Sequence, residues 1–129
     1  MNNKRLNAII SEHADKIEEA ENGYWRYMYK DQTLLTITDE SHNRMRIISP
    51  AALSKDLNQD ALQICMEANF DRALDARYAI SGEYLWSAFI HSLAELTDKQ
   101  VVDAMDQVAT LTANYGTTFT SSDLLFGGG

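Results

Sequence analysis

Hydrophobic residues recur along this chain with two periods, the helical spacing and the two-residue alternation of strands. Glycine and proline divide the chain into segments of helix or strand length. Over residues 3–21 the apolar positions recur at helical spacing. They predict an amphipathic first helix that ends at Asn22-Gly23 through a left-handed C-terminal residue. Its apolar stripe consists of Leu6, Ile9, Ile10, Ile17 and Ala20.

Three strands follow in the prediction, at residues 24–30, 33–38 and 44–49. Each alternates with a period of two, and short polar turns separate them, which indicates an antiparallel meander. The next boundary is Ser49-Pro50, where a hydroxyl N-cap and a proline at the first helical position predict the start of a second helix. This helix is expected to end within residues 69–72. Its apolar face is Leu53, Leu57, Ala61, Ile64, Cys65 and Ala68.

Two further strands are predicted at residues 74–80 and 84–93, joined by a hairpin at Ser81-Gly82-Glu83. In the first of them, Leu74, Ala76, Tyr78 and Ile80 share a face. The last strand has no polar face, so we expect a helix to cover one side and another layer, a subunit or a ligand to cover the other. Its two faces are Tyr84, Trp86, Ala88, Ile90 and Leu85, Ser87, Phe89, His91.

The final helix carries the clearest signals. Thr97 and Gln100 form a capping box, Leu96 and Val101 a hydrophobic staple, and Gly116 is the expected stop. The complete order is α-β-β-β-α-β-β-α, which predicts an α+β fold with helices packed on an antiparallel sheet. Residues 1–116 are predicted to form one domain. Residues 117–129 are predicted to form a partly docked tail with disordered terminal glycines.

The composition excludes several classes of function. The 129 residues carry a formal charge of −8, which disfavours general binding to nucleic acid or to anionic membranes. No apolar run is long enough to span a bilayer, and the polar N-terminus does not have the apolar core of a signal peptide. A cytoplasmic location is therefore expected.

The residues typical of catalysis are scattered. Glycine-rich phosphate loops and Gly-x-Ser-x-Gly elbows do not occur in the sequence. His13, His42 and His91 belong to different elements without metal-ligand spacing, and Cys65 falls on an apolar helix face that suits an inert thiol. We expect no enzyme activity, no cofactor and no metal.

Several surface residues allow two interpretations. Trp25, Tyr27 and Tyr29 either cover the core or anchor a bound peptide, and Tyr84 and Trp86 allow the same alternatives. Arg77 either pairs across strands, beside Asp75, or contacts a ligand carboxylate. A basic stripe is either a solvated face or a receptor for an acidic partner segment. Its members are Arg26, Lys30, Arg44 and Arg46.

The order of elements resembles the class I type III secretion chaperones and the related YbjN-type domains over about residues 3–116. The most recognisable stretch is 74–86, LDARYAISGEYLW, followed by Leu96-Thr97 at the start of the last helix. The resemblance implies a cytoplasmic, non-enzymatic homodimer that holds an extended segment of a client protein and adds client strands to its sheet.

The sequence favours one function and leaves one alternative open. The first is capture of an extended or amphipathic segment of a partner protein by a homodimer, with a dimer contact through Tyr84, Trp86, Phe89 and Ile90 and the second or third helix. The alternative is a sensor of a small ligand, with a pocket between helix and sheet near Trp25, Tyr78 and Arg77.

Overall fold

A computed structural model describes residues 1–120, with side chains as far as Tyr115. The sequence-predicted tail falls largely on residues 121–129, outside the described part. The elements are α1 (Asn3–His13), β1 (Lys16–Glu21), β2 (Tyr24–Tyr29), β3 (Gln32–Asp39), β4 (Arg44–Leu53), a 3-10 turn (Ser54–Asp56), α2 (Gln59–Asp71), β5 (Arg77–Ser81), β6 (Tyr84–Ser92) and α3 (Asp98–Thr120).

One six-stranded sheet, in the order β1-β2-β3-β4-β6-β5, organises the molecule, and all its strand pairs are antiparallel. The three helices share a single core with one face of this sheet. The predicted α+β class, with helices packed on an antiparallel sheet, is confirmed. The core includes Leu6, Ile10, Trp25, Tyr27, Leu34, Ile47, Cys65, Leu85, Met105 and Val108.

The sheet has one strand more than the sequence pattern predicts, because residues 16–21 form β1 and not the second half of the first helix. Glu21 pairs with Tyr24, so Asn22-Gly23 is the two-residue turn of a hairpin, with Gly23 at φ +92°. Asn-Gly is a strong hairpin signal as well as a helix stop. The charged residues of β1 and its bulge between Ile17 and Glu19 suit an edge strand.

The second correction concerns Ser49-Pro50, which lies inside β4 and does not begin a helix. Pro50 sits next to a bulge in the pairing with β6, a position where a strand tolerates the missing N–H. The helix begins at Gln59, where the Asn58 side chain accepts from the backbone N–H of Ala61 at 2.8 Å. It ends at Asp71, within the predicted range.

Two boundaries near the C-terminal half also differ. Leu74 precedes β5, in a left-handed conformation with φ 61°, and 70% of it is exposed. It therefore does not share the inward face of Tyr78. The last helix continues past Gly116 to Thr120, since a glycine lowers helix stability without ending a helix by itself.

The start of α3 agrees with the prediction from the sequence. The backbone N–H of Thr97 donates to Gln100 Oε1 at 2.9 Å, and the N–H of Gln100 donates to Thr97 Oγ1 at 3.1 Å. Leu96 and Val101 are both buried, as the staple requires. The predicted inward residues Ala104, Met105 and Val108 are buried too, so α3 lies lengthwise over the sheet.

Candidate partner-binding surface

Because the helices all lie on one side, the opposite side of the sheet has no second layer in the described residues. We call this side the open face. The strand register aligns its side chains in rows that run across the strands. Its central members are Leu35 and Ile37 of β3, Arg44, Arg46 and Ile48 of β4, Arg77 of β5, and Tyr84, Trp86, Ala88 and Ile90 of β6.

Large apolar side chains occupy much of the open face. Ile90 is 52% exposed and Tyr84 is 41% exposed, while Ile37 and Ile48 are half-buried by their neighbours alone. Trp86 packs edge-on against Tyr84, with ring centroids 5.4 Å apart, and its Nε1–H donates to the carbonyl of Ser81 at 3.1 Å. The exposed apolar side predicted for this strand is therefore present, and it consists of Tyr84, Trp86 and Ile90.

Four of the aromatic residues considered as partner contacts belong to the core. Trp25, Tyr27, Tyr29 and Phe89 are all buried on the helix side of the sheet. The Trp25 Nε1–H donates to Asn7 Oδ1 of α1 at 2.9 Å, and Tyr27 and Thr36 share a buried hydroxyl hydrogen bond of 2.8 Å. Burial raises the pKa of Tyr27 well above its usual range. These side chains hold the helices on the sheet and are not available to a partner.

The residues of the alternative ligand pocket do not converge. Trp25 lies on β2 and Tyr78 on β5, with three strands between them in the sheet. Tyr78 is buried, and its hydroxyl donates to the carbonyl of Leu111 at 2.7 Å. Arg77 donates to the backbone carbonyls of Leu74 and Ala76 and makes no ion pair with Asp75 among the described residues.

A cavity of about 280 Å³ does lie beside Tyr78, between the end of α2 and α3, and it opens to solvent. Its floor is apolar, with Ala68, Ala73 and Leu111, and its rim is polar, with Arg72 and Asn114. Neither Trp25 nor Arg77 lines it. The predicted site between helix and sheet is therefore not assembled as the sequence suggested.

The basic stripe is present in part. Arg26, Arg44 and Arg46 lie on the open face, where Arg26 contacts Glu18 and Glu19 of β1 at 3.4 and 3.6 Å. Lys30 does not belong to the stripe, because its Nζ lies 2.7 Å from Asp106 of α3, on the helix side.

The cysteine and two of the histidines make contacts that belong to the fold. Burial raises the pKa of the Cys65 thiol to about 12, which keeps it protonated and poorly nucleophilic. His42 pairs with Asp39 at 2.8 Å in a solvated turn, and His91 stacks on Phe89 with its Nδ1 2.8 Å from the carbonyl of Ser92. Within residues 1–120, no three His, Cys, Asp or Glu side chains come together as metal ligands.

α2 carries a second exposed apolar surface that the sequence pattern did not predict. Leu62, Met66 and Phe70 lie four residues apart on the outer side of α2, and Phe70 is 92% exposed. The signal was a second apolar series beside the inward one of Cys65 and Ala68. We call these three residues the α2 stripe.

None of the helices in the described range is long and apolar enough to cross a membrane.

No family model matches the sequence, and no curated protein matches it significantly. Solved structures do match the fold. The chaperone–effector complex HopA1–SchA gives a TM-score of 0.63 at 11% identity, covering 85% of this chain and 88% of the other. The ExsC–ExsE complex gives 0.63 at 12% identity, covering 87% and 92%.

The Yersinia pestis type III secretion chaperone SycH, in complex with a stable fragment of YscM2, gives a TM-score of 0.62 at 13% identity, covering 88% of this chain and 98% of the other. An uncharacterized protein from Methanothermobacter thermautotrophicus gives 0.61 at 10% identity, covering 89% and 94%. This chain therefore has the α+β fold of the type III secretion chaperones.

Proposed function

We propose that this protein is a non-enzymatic, chaperone-like binder that holds an extended or amphipathic segment of a partner protein. The observation that carries the proposal is the open face: a sheet surface with exposed Tyr84 and Ile90 and half-buried Ile37, Ile48 and Trp86, with no layer above it among the described residues. Soluble monomers rarely leave such contiguous apolar area uncovered unless it binds something.

The shape of this surface favours a polypeptide over a small molecule. Small ligands bind in concave cavities that bury most of their area, whereas the open face is a broad, shallow surface across the sheet. A peptide or helix lies along such a surface and uses apolar side chains as anchors and polar ones for orientation. The related folds include structures of chaperones with bound protein partners, which supports the same class of function here.

We further propose that the working form is a homodimer in the cytoplasm. The contact would combine Tyr84 and Trp86, at the hairpin end of the open face, with the α2 stripe. α2 packs on the edge strand β5, which in turn pairs with β6, so both exposed surfaces lie at the β5 edge of the sheet, the α2 stripe on the helix side and Tyr84 and Trp86 on the open face. A single stripe of three residues is small for a stable dimer, and the added aromatic pair enlarges it.

The test compares two isoleucines of equal exposure on opposite sides of the sheet. Ile90 and Ile80 are each 52% exposed, but Ile90 lies on the open face and Ile80 pairs with the core residue Leu85. Tagged wild type, Ile90→Asp and Ile80→Asp are expressed in the native cell, and co-purifying proteins are quantified by mass spectrometry.

We expect one protein to co-purify in roughly stoichiometric amount with the wild type and with Ile80→Asp, and to be lost with Ile90→Asp. Circular dichroism checks that both variants are folded. Equal recovery with Ile90→Asp would remove the open face as the binding surface, and absence of any stoichiometric protein with the wild type would reject the function itself.

A further inference from the structure

The open face contains arginines that have no carboxylate partner in the described part of the chain. The side chains of Arg44 and Arg46 form no ion pair or hydrogen bond with any described residue. Asp39 stands opposite Arg44 in the β3–β4 register, yet its carboxylate is bound by Ser41 and His42. The chain as a whole has eight more acidic than basic residues, so the absence of a partner at these two positions is not caused by a shortage of carboxylates.

The register surrounds these arginines with apolar side chains. Arg46 lies directly between Ile37 of β3 and Ile90 of β6, and the three residues form one row across adjacent strands. A depression of about 290 Å³ is lined by these three residues together with Arg44, Asp39, Thr38 and Met45. In the neighbouring row, Arg26 and Arg77 stand at the two ends of an apolar run. That run is Leu35, Ile48 and Ala88.

β1 provides an internal example of what such a surface binds. Glu18 and Glu19 approach the guanidinium of Arg26 at 3.4 and 3.6 Å, so the first arginine of the face is already paired with carboxylates of the neighbouring strand. Arginine presents a planar fork of donors that fits a carboxylate, and this pairing strengthens when neighbouring apolar contacts exclude water. Arg44 and Arg46 offer the same chemistry, and residues 1–120 provide no partner for their side chains.

From this charge pattern we infer that the Ile37–Arg46–Ile90 end of the open face binds an acidic amphipathic segment of the partner protein, in which Asp or Glu stands next to large apolar residues. The inference rests on the proposed function and adds the chemistry of the partner. The carboxylates pair with Arg44 and Arg46, and the apolar side chains cover Ile37 and Ile90.

A second copy of this chain fits the same surface less well. In a two-fold contact a face meets itself, so the arginines of the two copies would approach one another. The proposed dimer contact at Trp86 is four residues along β6 from Ile90, about 13 Å away at strand spacing, so one molecule accommodates both contacts.

The test selects peptides from a phage-displayed library of random dodecapeptides on immobilised wild-type protein. The most enriched peptide is synthesised with a fluorescent label, together with a version in which its Asp and Glu are replaced by Asn and Gln. Affinity is measured by anisotropy for the wild type, Arg46→Glu and Lys4→Glu. Lys4 is exposed on α1, on the helix side, and its variant makes the same change in net charge.

We expect acidic and apolar residues to be enriched together, affinity to fall by about tenfold or more in Arg46→Glu, and Lys4→Glu to change it less than about twofold. The amide version should bind the wild-type protein more weakly than the acidic peptide does, by about tenfold or more. Raising the salt concentration should weaken binding of the acidic peptide only.

Peptides that bind the wild type and Arg46→Glu equally would overturn the assignment of the arginines and leave the proposed function standing. Failure to enrich any peptide would count against both. A labelled 20-nucleotide single-stranded DNA serves as the competing polyanion. If it binds in an Arg46-dependent manner and no acidic peptide does, the surface is a nucleic-acid site and the inference is wrong.

Discussion

Asn69 of α2 hydrogen-bonds both backbone groups of Tyr78 on β5: its Nδ2 donates to the carbonyl at 3.1 Å, and its Oδ1 accepts from the N–H at 2.7 Å. The side chain amide thus takes the position that a neighbouring strand would occupy at this edge of the sheet. β5 is protected against pairing with another chain here, and α2 is held against the sheet by the same contact.

Replacing this amide should affect stability and association together. Asn69→Ala leaves two backbone groups of Tyr78 without their partner, and we expect the free energy of unfolding to fall by about 1–3 kcal/mol. Urea denaturation measures this loss, and gel filtration over a range of concentrations measures association. Gln63→Ala on the same helix, where the side chain makes only a 3.4 Å contact with Glu67, should change stability by less than about 0.5 kcal/mol. Equal stability of the two variants would contradict the role given to Asn69.

The stability of Ser49→Ala distinguishes the predicted helix start from the observed strand, because the two structures predict opposite changes in the free energy of unfolding. It is fully buried in β4, and its hydroxyl has no hydrogen-bond partner among the described residues. Ser49→Ala should therefore raise the free energy of unfolding by up to about 1 kcal/mol, since it removes an unsatisfied buried polar group. Loss of a helix N-cap would instead lower it by about 1 kcal/mol. A destabilised variant in thermal or urea unfolding would contradict the structure at this position.

Asp106 should make stability depend on acid pH. Burial disfavours its charged form, but hydrogen bonds from Lys30 at 2.7 Å and from the Tyr29 hydroxyl at 2.5 Å prevail, so its pKa in the folded state lies below the ordinary 3.8. A lowered folded-state pKa contributes stability above the unfolded-state pKa, and this contribution disappears as the pH falls through the folded-state value.

We expect Asp106→Asn to lower stability at pH 7 by about 0.5–1 kcal/mol, a modest value because the pair is partly exposed. The difference from the wild type should shrink below about pH 4. Urea unfolding between pH 2.5 and 7 measures both. Asp103→Asn, which removes an exposed pair with Lys99, should have the smaller effect at neutral pH. A pH-independent difference for Asp106→Asn would contradict the ion-pair interpretation.

Trp86→Asp tests the proposed dimer contact. Its ring lies on the open face and outside the core, so the substitution should leave the fold intact while placing a charge in an apolar contact. We expect the elution volume on size exclusion and the mass by light scattering to change from dimer to monomer. Thr110→Asp, at an exposed position of α3, should remain dimeric. An unchanged elution volume for Trp86→Asp would count against this interface.

The candidate surface was only partly predictable. Alternation in residues 84–92 identified an apolar strand with two faces, and Tyr84, Trp86 and Ile90 do lie on the exposed one. The same pattern could not say which face the helices cover, because a strand's periodicity is the same on either side of a sheet. Trp25, Tyr27 and Tyr29 were therefore open to both interpretations until the packing was known, and Phe89 was assigned to the dimer contact although it lies buried on the helix side.

Local chemistry along the chain was sufficient for the capping box at Thr97 and Gln100, for the β5–β6 hairpin, and for the α+β class, because these depend on neighbours within a few residues. Residues 16–21 and 49–53 became strands only through their pairing with β2 and β6, which outweighs a helical spacing of apolar residues. The row of Ile37, Arg46 and Ile90 likewise exists only in the folded sheet, since the β3–β4 hairpin must lie in register with β6, which is distant in sequence, to bring these side chains together.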